Sequence, residues 1–128
     1  MHKQIRTVPA HSPGDLAEFL RVLAEAEINI EIAGGSNVEF DGEFAFAVQH
    51  GQEEEAMRVL EQARYHPRLV EVVECLLSNE PGQLLACITE VAQYNAASGM
   101  AIRDISVGVP GEDGRIPVQV YSEARLSS

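Results

Sequence analysis

Basic residues are scarce in this chain, with nine lysines and arginines against twenty acidic residues and a net charge of −11. A protein of this charge repels phosphate backbones and anionic lipid headgroups, so nucleic acids and membrane surfaces are poor partners. We expect the partner to be cationic, zwitterionic or another protein.

Long hydrophobic runs are also missing. Residues 1–13, MHKQIRTVPAHSP, lack the apolar run of a secretory signal, and no segment approaches the roughly 20 apolar residues of a membrane helix. We therefore expect a cytoplasmic protein.

Only two cysteines occur, Cys75 and Cys87, and both occupy apolar positions of their elements. Their spacing is not that of a close pair of metal ligands. Two such residues are more often reduced core thiols than a disulfide or a metal site, so we expect them to be buried and reduced.

Catalytic motifs are absent: the sequence contains no HExxH, GxSxG or CxxC motif and no P-loop. The candidates that remain are the thiols and His11, His50 and His66. His11 and His50 end strands that run antiparallel, so they lie at opposite ends of a sheet and cannot share a metal. No catalytic residue, metal ligand or cofactor site is predicted, and the sequence supports an enzyme less than it supports a binding module or an interaction protein.

The stretch from His11 to Ile32 organises the chain as a turn, a helix and a strand. Ser12 and Pro13 suit the start of a helix. Counting from Gly14, apolar residues follow at plus 2, 5, 6 and 9, which is the spacing of one helical face. At Ile28 the apolar period changes to two, as in a half-buried strand. The apolar residues of the helix are Leu16, Phe19, Leu20 and Leu23, and those of the strand are Ile28, Ile30 and Ile32.

The same count succeeds from Gly82, which indicates an internal repeat. Its helical face consists of Leu84, Cys87, Ile88 and Val91. About one extra helical turn then precedes a strand that begins at Met100.

Turn residues and apolar periodicity define the remaining elements. Gly34-Gly35 indicates a bulge in a strand that continues to Phe40, and Asp41-Gly42 favours a type I′ hairpin. The other elements are a strand at 3–10, a returning strand with Phe44, Phe46 and Val48, a helix from Glu53 that ends before Pro67, a long strand at 68–78, and a hairpin at Asp113-Gly114 followed by Ile116, Val118 and Val120.

This order predicts an α+β protein with a ferredoxin-like βαββαβ module followed by a partial βαββ repeat, in which helices cover one face of an antiparallel sheet. The predicted core comprises Phe19, Leu20, Leu23, Phe44, Phe46, Leu60, Ile88 and Val91. With Pro-Gly opening the first helix and Ile28-Asn29-Ile30 opening the second strand, the chain resembles a tandem ACT protein. The resemblance implies an ACT domain at 1–72 and a truncated repeat at 73–128 that shares the strand 68–78.

The resemblance further implies that ACT modules pair and hold a small amino acid at their interface. The loop before the helical Gly supplies amides and an Asn, and the opposing module supplies the Asn that opens its second strand. Each copy here keeps half of this set. The loop of the second copy has Asn79 and Gly82, which would face Asn29 and the adjacent Ile30, whereas the loop of the first copy has His11 and Gly14, which would face Ala101. Only the first combination is complete.

These features predict a non-catalytic regulatory module that binds a small amino acid or a related metabolite. The alternative is an interaction protein of the same fold without a ligand, and a protein target is compatible with either. The truncated repeat lacks a closing strand to cover its first strand, which predicts a homodimer or larger assembly with contacts in 100–122.

Overall fold

A computed structural model describes residues 2–9 and 14–124. The chain has an α+β fold with antiparallel strand pairs, as predicted. Its elements are β1 (His2–Thr7), α1 (Asp15–Glu25), β2 (Ile30–Gly35), β3 (Phe44–Val48), α2 (Glu53–Gln62), β4 (Arg68–Leu77), α3 (Gln83–Ser98), β5 (Met100–Val107) and β6 (Ile116–Ala124). No helix among the described residues is long and apolar enough to cross a membrane.

The chain divides into two compact units. The first unit comprises Lys3–Val70, and the second comprises the described residues from Glu71 onward together with His2. The division falls within β4, so this strand contributes residues to both units.

The first unit has the strand order β2-β3-β1, and β3 pairs antiparallel with both neighbours. Phe44, Phe46 and Val48 alternate along β3 and pack in one core with buried residues of both helices. Since α1 and α2 contribute to the same core, both helices cover the same face of this part of the sheet. The helix residues in the core are Phe19, Leu23, Ala56 and Leu60.

Phe19 is the centre of an aromatic cluster in the first unit. Its ring lies 5.8 Å from Phe44, 5.9 Å from Phe46 and 4.9 Å from Tyr65, measured between ring centroids, and each pair is edge-to-face. This is a favourable geometry for aromatic rings, so the cluster attaches α1 firmly to the sheet.

The second unit has the strand order β4-β6-β5 and a single helix, α3. Its core is smaller, because only Cys87, Val91, Val118 and Val120 are fully buried in the cluster beneath α3. Of the eight residues predicted for the core of the protein, six are buried, whereas Leu20 and Ile88 are half-buried.

The loop between β2 and β3 differs from the predicted tight hairpin. β2 ends at Gly35, its irregularity lies between Ile30 and Ile32 rather than at Gly34-Gly35, and Phe40 is 82% exposed. The amide of Gly42 donates to the Asn37 carbonyl at 2.7 Å, which closes a longer turn than the expected type I′ hairpin. The Asp41-Gly42 dipeptide cannot predict this contact, because Asn37 lies five residues before Gly42.

Within the second unit β6 lies between β4 and β5, and β5 is a terminal strand of the sheet. That the first strand of the repeat causes self-association by lacking a neighbour stays a prediction. The terminal strand β5 forms a sheet edge of the second unit.

The expectation of two reduced thiols is also wrong, because Cys75 and Cys87 form a disulfide. Their Cα atoms are 6.3 Å apart, within the range that a disulfide spans. Sequence spacing could not reveal this pairing, which arises because α3 packs its second turn over β4.

Candidate functional site

The start of α3 is the first component of the candidate site. Gly82 precedes the helix with φ 85°, a left-handed conformation that favours glycine, and no side chain caps the helix start. The amides of the first turn form the positive end of the helix dipole.

Acidic residues distinguish the three helix starts from one another. The first turn of α2 contains three glutamates and that of α1 contains Asp15 and Glu18, whereas the first turn of α3 contains no acidic residue. Of the three described helices, α3 is therefore the one without an acidic residue in its first turn, and Glu80 lies two residues before Gly82.

The start of α1 has similar backbone geometry but different surroundings. Gly14 has φ 93°, and its amide donates a 3.0 Å hydrogen bond to the Glu39 carboxylate. A carboxylate of the chain itself therefore occupies the position where an anionic ligand would bind. The first loop is thus less suited to such a ligand than the second.

Asn29 lies just before β2, and its backbone is held on both sides. Its amide donates to Gln52 Oε1 at 2.9 Å, and its carbonyl accepts from the Gln49 amide at 2.9 Å. The Asn29 side chain is exposed, and Ile30, the first residue of β2, is half-buried. This arrangement fixes the backbone beneath a solvent-facing amide side chain.

The structure brings together only some of the predicted site residues. Asn79 and Gly82 belong to one exposed loop. Gly14 and Asn29 lie at opposite ends of α1, whose eleven residues span about 16 Å. His11 lies outside the described residues. Within the first unit, the loop Gly and the strand Asn are therefore not at one place.

A buried polar cluster in the first unit was not predicted from the sequence. Arg6 is only 2% exposed, and its guanidinium donates to Gln4 Oε1 at 2.6 Å and to Glu43 Oε1 at 2.7 Å. Arg68 adds a 3.1 Å hydrogen bond to Glu43 Oε2. The only sequence signal was the two-residue spacing of Gln4 and Arg6, which places both on one face of β1.

The electrostatics of Glu43 follow from this cluster. Burial by itself raises the pKa of this carboxyl, but the hydrogen bonds and positive charges of Arg6 and Arg68 outweigh burial and hold the pKa below its ordinary value. Glu43 is therefore an ionised partner of the two arginines, which is a structural role.

No group of three or more His, Cys, Asp or Glu residues within 2–9 and 14–124 is placed to hold a metal ion. His50 and His66 are both exposed.

Comparison with known proteins gives no match to a protein-family model and none to a curated protein. Solved structures do match. A Bacteroides thetaiotaomicron protein is 22% identical with a TM-score of 0.71, and the match covers 94% of this chain and 78% of that one. The ligand-free regulatory subunit of aspartate kinase from Thermus thermophilus is 22% identical with a TM-score of 0.58, covering 93% and 82%.

The structure of aspartokinase alpha and beta subunits is 15% identical with a TM-score of 0.57, covering 92% of this chain and 80% of that chain. The chain has an ACT-like fold. Because these identities are low, the likeness concerns the fold, and the function has to be argued from the residues of this chain.

Proposed function

We propose that the protein is a non-catalytic regulatory module that binds a small amino acid or a related metabolite at an interface between ACT-like modules. The observation that carries this proposal is the start of α3, where an exposed left-handed Gly82 precedes an uncapped first turn without acidic residues. Such a helix start is suited to a carboxylate.

The first loop provides a comparison within the same chain. Its Gly14 amide binds the Glu39 carboxylate, which illustrates the chemistry that a Gly-led helix start prefers. In the second loop, we assign the corresponding position to the carboxylate of the ligand. The difference between the loops therefore supports one occupied site, at Gly82, rather than two equivalent sites.

The polar end of the ligand requires a group that both donates and accepts hydrogen bonds. Asn79 precedes Gly82 by three residues and is exposed, and its side-chain amide offers both functions. In this proposal Asn29 and Ile30 of the opposing module complete the site, with Asn29 held in place through Gln52 and Gln49.

The matched structures support the regulatory part of the proposal, since two of them are regulatory subunits of aspartate kinase, from Thermus thermophilus and Thermus flavus. We infer by analogy that this chain controls a protein target rather than carrying out catalysis itself.

Thermal unfolding in the presence of each common L-amino acid tests the proposal. A ligand at about 100 times its dissociation constant stabilises the folded protein by about 2.7 kcal/mol, which corresponds to several degrees in Tm. Asn79→Ala and Asn29→Ala should each abolish this shift.

Two variants serve as controls. Gln93→Ala removes an exposed amide from α3 outside the candidate loop, and His11→Ala alters the loop that we assign as unoccupied. Both should retain the ligand-induced shift. A shift that is lost in His11→Ala and kept in Asn79→Ala would place the ligand in the first loop and contradict the assignment.

An interaction protein without a ligand is the second candidate, because α3 exposes several large apolar side chains. Leu84 is 49% exposed, Leu85 71% and Tyr94 69%, and the helix contains one charged residue, Glu90, among its sixteen. Exposed apolar surface of this kind is typical of association sites. Self-association together with an absence of any amino-acid effect on Tm would favour this candidate.

A further inference from the structure

The Cys75–Cys87 disulfide encloses the candidate ligand loop. Cys75 lies on β4, two residues before the strand ends, and Cys87 lies in the second turn of α3. The eleven residues between the two cysteines include the loop Asn79–Gly82 and the first turn of the helix. The bond therefore joins the two sides of the segment to which we assign the ligand.

Little else fixes this enclosed segment. All residues from Asn79 to Gly82 are exposed, and Leu84 and Leu85 at the start of α3 are 49% and 71% exposed. The described backbone hydrogen bonds are local, from the Glu80 amide to the Ser78 carbonyl and from the Ala86 amide to the Gly82 carbonyl. Cys87 is the first fully buried residue of the helix.

The first unit attaches its corresponding helix in a different way. Five residues after Gly14 stands Phe19, which contacts three aromatic rings, whereas five residues after Gly82 stands Cys87. The contact of Phe19 with Tyr65 uses the segment after α2, and the second unit has no α2 counterpart among its described elements. The disulfide thus takes the place that the aromatic cluster holds in the first unit.

We propose that the redox state of Cys75 and Cys87 controls the order of the Asn79–Gly82 loop and the first turns of α3, and thereby the affinity of the ligand site. The second half of this inference rests on the proposed function. The oxidised protein holds the loop and the helix start in the binding geometry. The reduced protein lets this segment open, because a covalent link no longer restrains its open state.

The chemistry requires a dithiol as the reductant. One thiolate of the dithiol attacks the Sγ atom of the half-buried Cys75, the Cys75–Cys87 bond breaks, and Cys87 leaves as a thiolate that takes up a proton. The second thiolate of the dithiol then attacks the mixed disulfide and releases Cys75. The dithiol is oxidised to a disulfide, and the two cysteines are reduced to thiols.

Hydrogen exchange on the full chain tests the first half of the proposal without a ligand. The oxidised protein is compared with protein reduced by dithiothreitol and with protein reoxidised after reduction. We expect the amides of 83–90 to exchange at least about tenfold faster after reduction and to recover on reoxidation, as for a local opening that a cross-link restrains. The amides of 15–26 serve as the internal control and should not change.

In a Cys75→Ser/Cys87→Ser variant, the amides of 83–90 should exchange as fast as in the reduced protein, and dithiothreitol should not change their rates. Reversible reduction of the unmodified chain gives the same comparison if this variant does not fold. Unchanged exchange in 83–90, or two cysteines that remain open to thiol alkylation after oxidation, would overturn the proposal.

A second arm separates this inference from the proposed function. The L-amino acid panel is applied to the oxidised and the reduced protein, and we expect a shift in Tm for the oxidised form only. An equal shift in both forms overturns redox control of the site. A redox effect on exchange without any amino-acid shift supports control of the loop and refutes the proposed ligand function.

Discussion

Two buried residues of the first unit have different surroundings, one polar and one aromatic. Arg6 is almost completely buried and is held by Gln4 on its own strand and by Glu43, which lies just before β3. Phe19, by contrast, is buried among aromatic rings. A buried guanidinium tolerates loss of its partner poorly, because an uncompensated charge in the interior is costly.

Glu43→Gln should weaken the fold in a manner that depends on pH. The pKa of Glu43 is lowered in the folded state, so its contribution is fully present above the unfolded value of about 4.3 and is lost as the pH falls through the lower folded value. The variant should be less stable at pH 7 by about 1.5–3 kcal/mol, the range for a hydrogen bond to a charged group. The difference from the unmodified protein should shrink below about pH 4.3.

Urea unfolding between neutral and acidic pH measures this difference. Phe46→Leu is a suitable control, since it destabilises the core without removing a titrating group and should shift stability by a similar amount at every pH. A constant offset for Glu43→Gln would show that its ionisation is not linked to folding.

The residue scale also shows where sequence reasoning succeeds. Apolar periodicity correctly identifies Phe19, Leu23 and Val91 as buried, because burial of a helical stripe is a property of spacing alone. Periodicity does not identify the buried Arg6 or the Cys75–Cys87 bond. Each depends on a contact with a residue outside its own element, and spacing along the chain does not predict such contacts.

At the scale of elements, helix starts and strand alternation are predictable and loop closures are not. The predicted helix starting at Glu53 and the extra turn of α3 before Met100 both occur. The sequence predicts a short hairpin between β2 and β3, whereas the actual turn runs from Ser36 to Glu43. The Asp41-Gly42 signal marks the correct place, but the acceptor for the Gly42 amide lies outside the dipeptide.

Gly42→Ala should destabilise this turn through a direct clash. A Cβ atom at this position would lie 1.9 Å from the Ser36 carbonyl oxygen, so the backbone has to shift. We expect a cost of about 1–3 kcal/mol, as for an overpacked site, measured as a lower midpoint in urea unfolding. Gly111→Ala is the matched control, because its Cβ would meet nothing closer than 3.4 Å, and its effect should stay within about 0.5 kcal/mol. Equal effects at the two glycines would show that the turn relaxes freely.

At the scale of the whole molecule, two units of similar length have unequal means of stabilisation. The first unit has nine residues in its buried core cluster, and the second unit has four, supplemented by a disulfide. A smaller core stabilises a unit less, so a covalent link has more influence on the second unit than it would have on the first. The same shortage leaves apolar surface of the second unit exposed, which is the basis of its expected association.

The terminal strand β5 is the sheet edge at which we expect self-association. Its first half is protected by a register shift between Ile102 and Asp104 and by the charges of Arg103 and Asp104, which are common ways of blocking an edge. Its second half presents apolar side chains instead, since Ile105 and Val107 are 42% and 57% exposed. We therefore retain the prediction of a homodimer with contacts within 100–122, now with β5 as the edge concerned.

Light scattering at micromolar concentration should report twice the 13.9 kDa mass of one chain. Replacing both exposed residues of β5, as Ile105→Lys/Val107→Lys, should give a monomer, because inserted charges oppose pairing at an edge. Leu85→Lys tests whether the exposed surface of α3, rather than that of β5, mediates association. This variant should leave the dimer intact. A dimer that survives the β5 variant and dissociates with Leu85→Lys would assign association to α3, and a monomeric unmodified chain would refute self-association altogether.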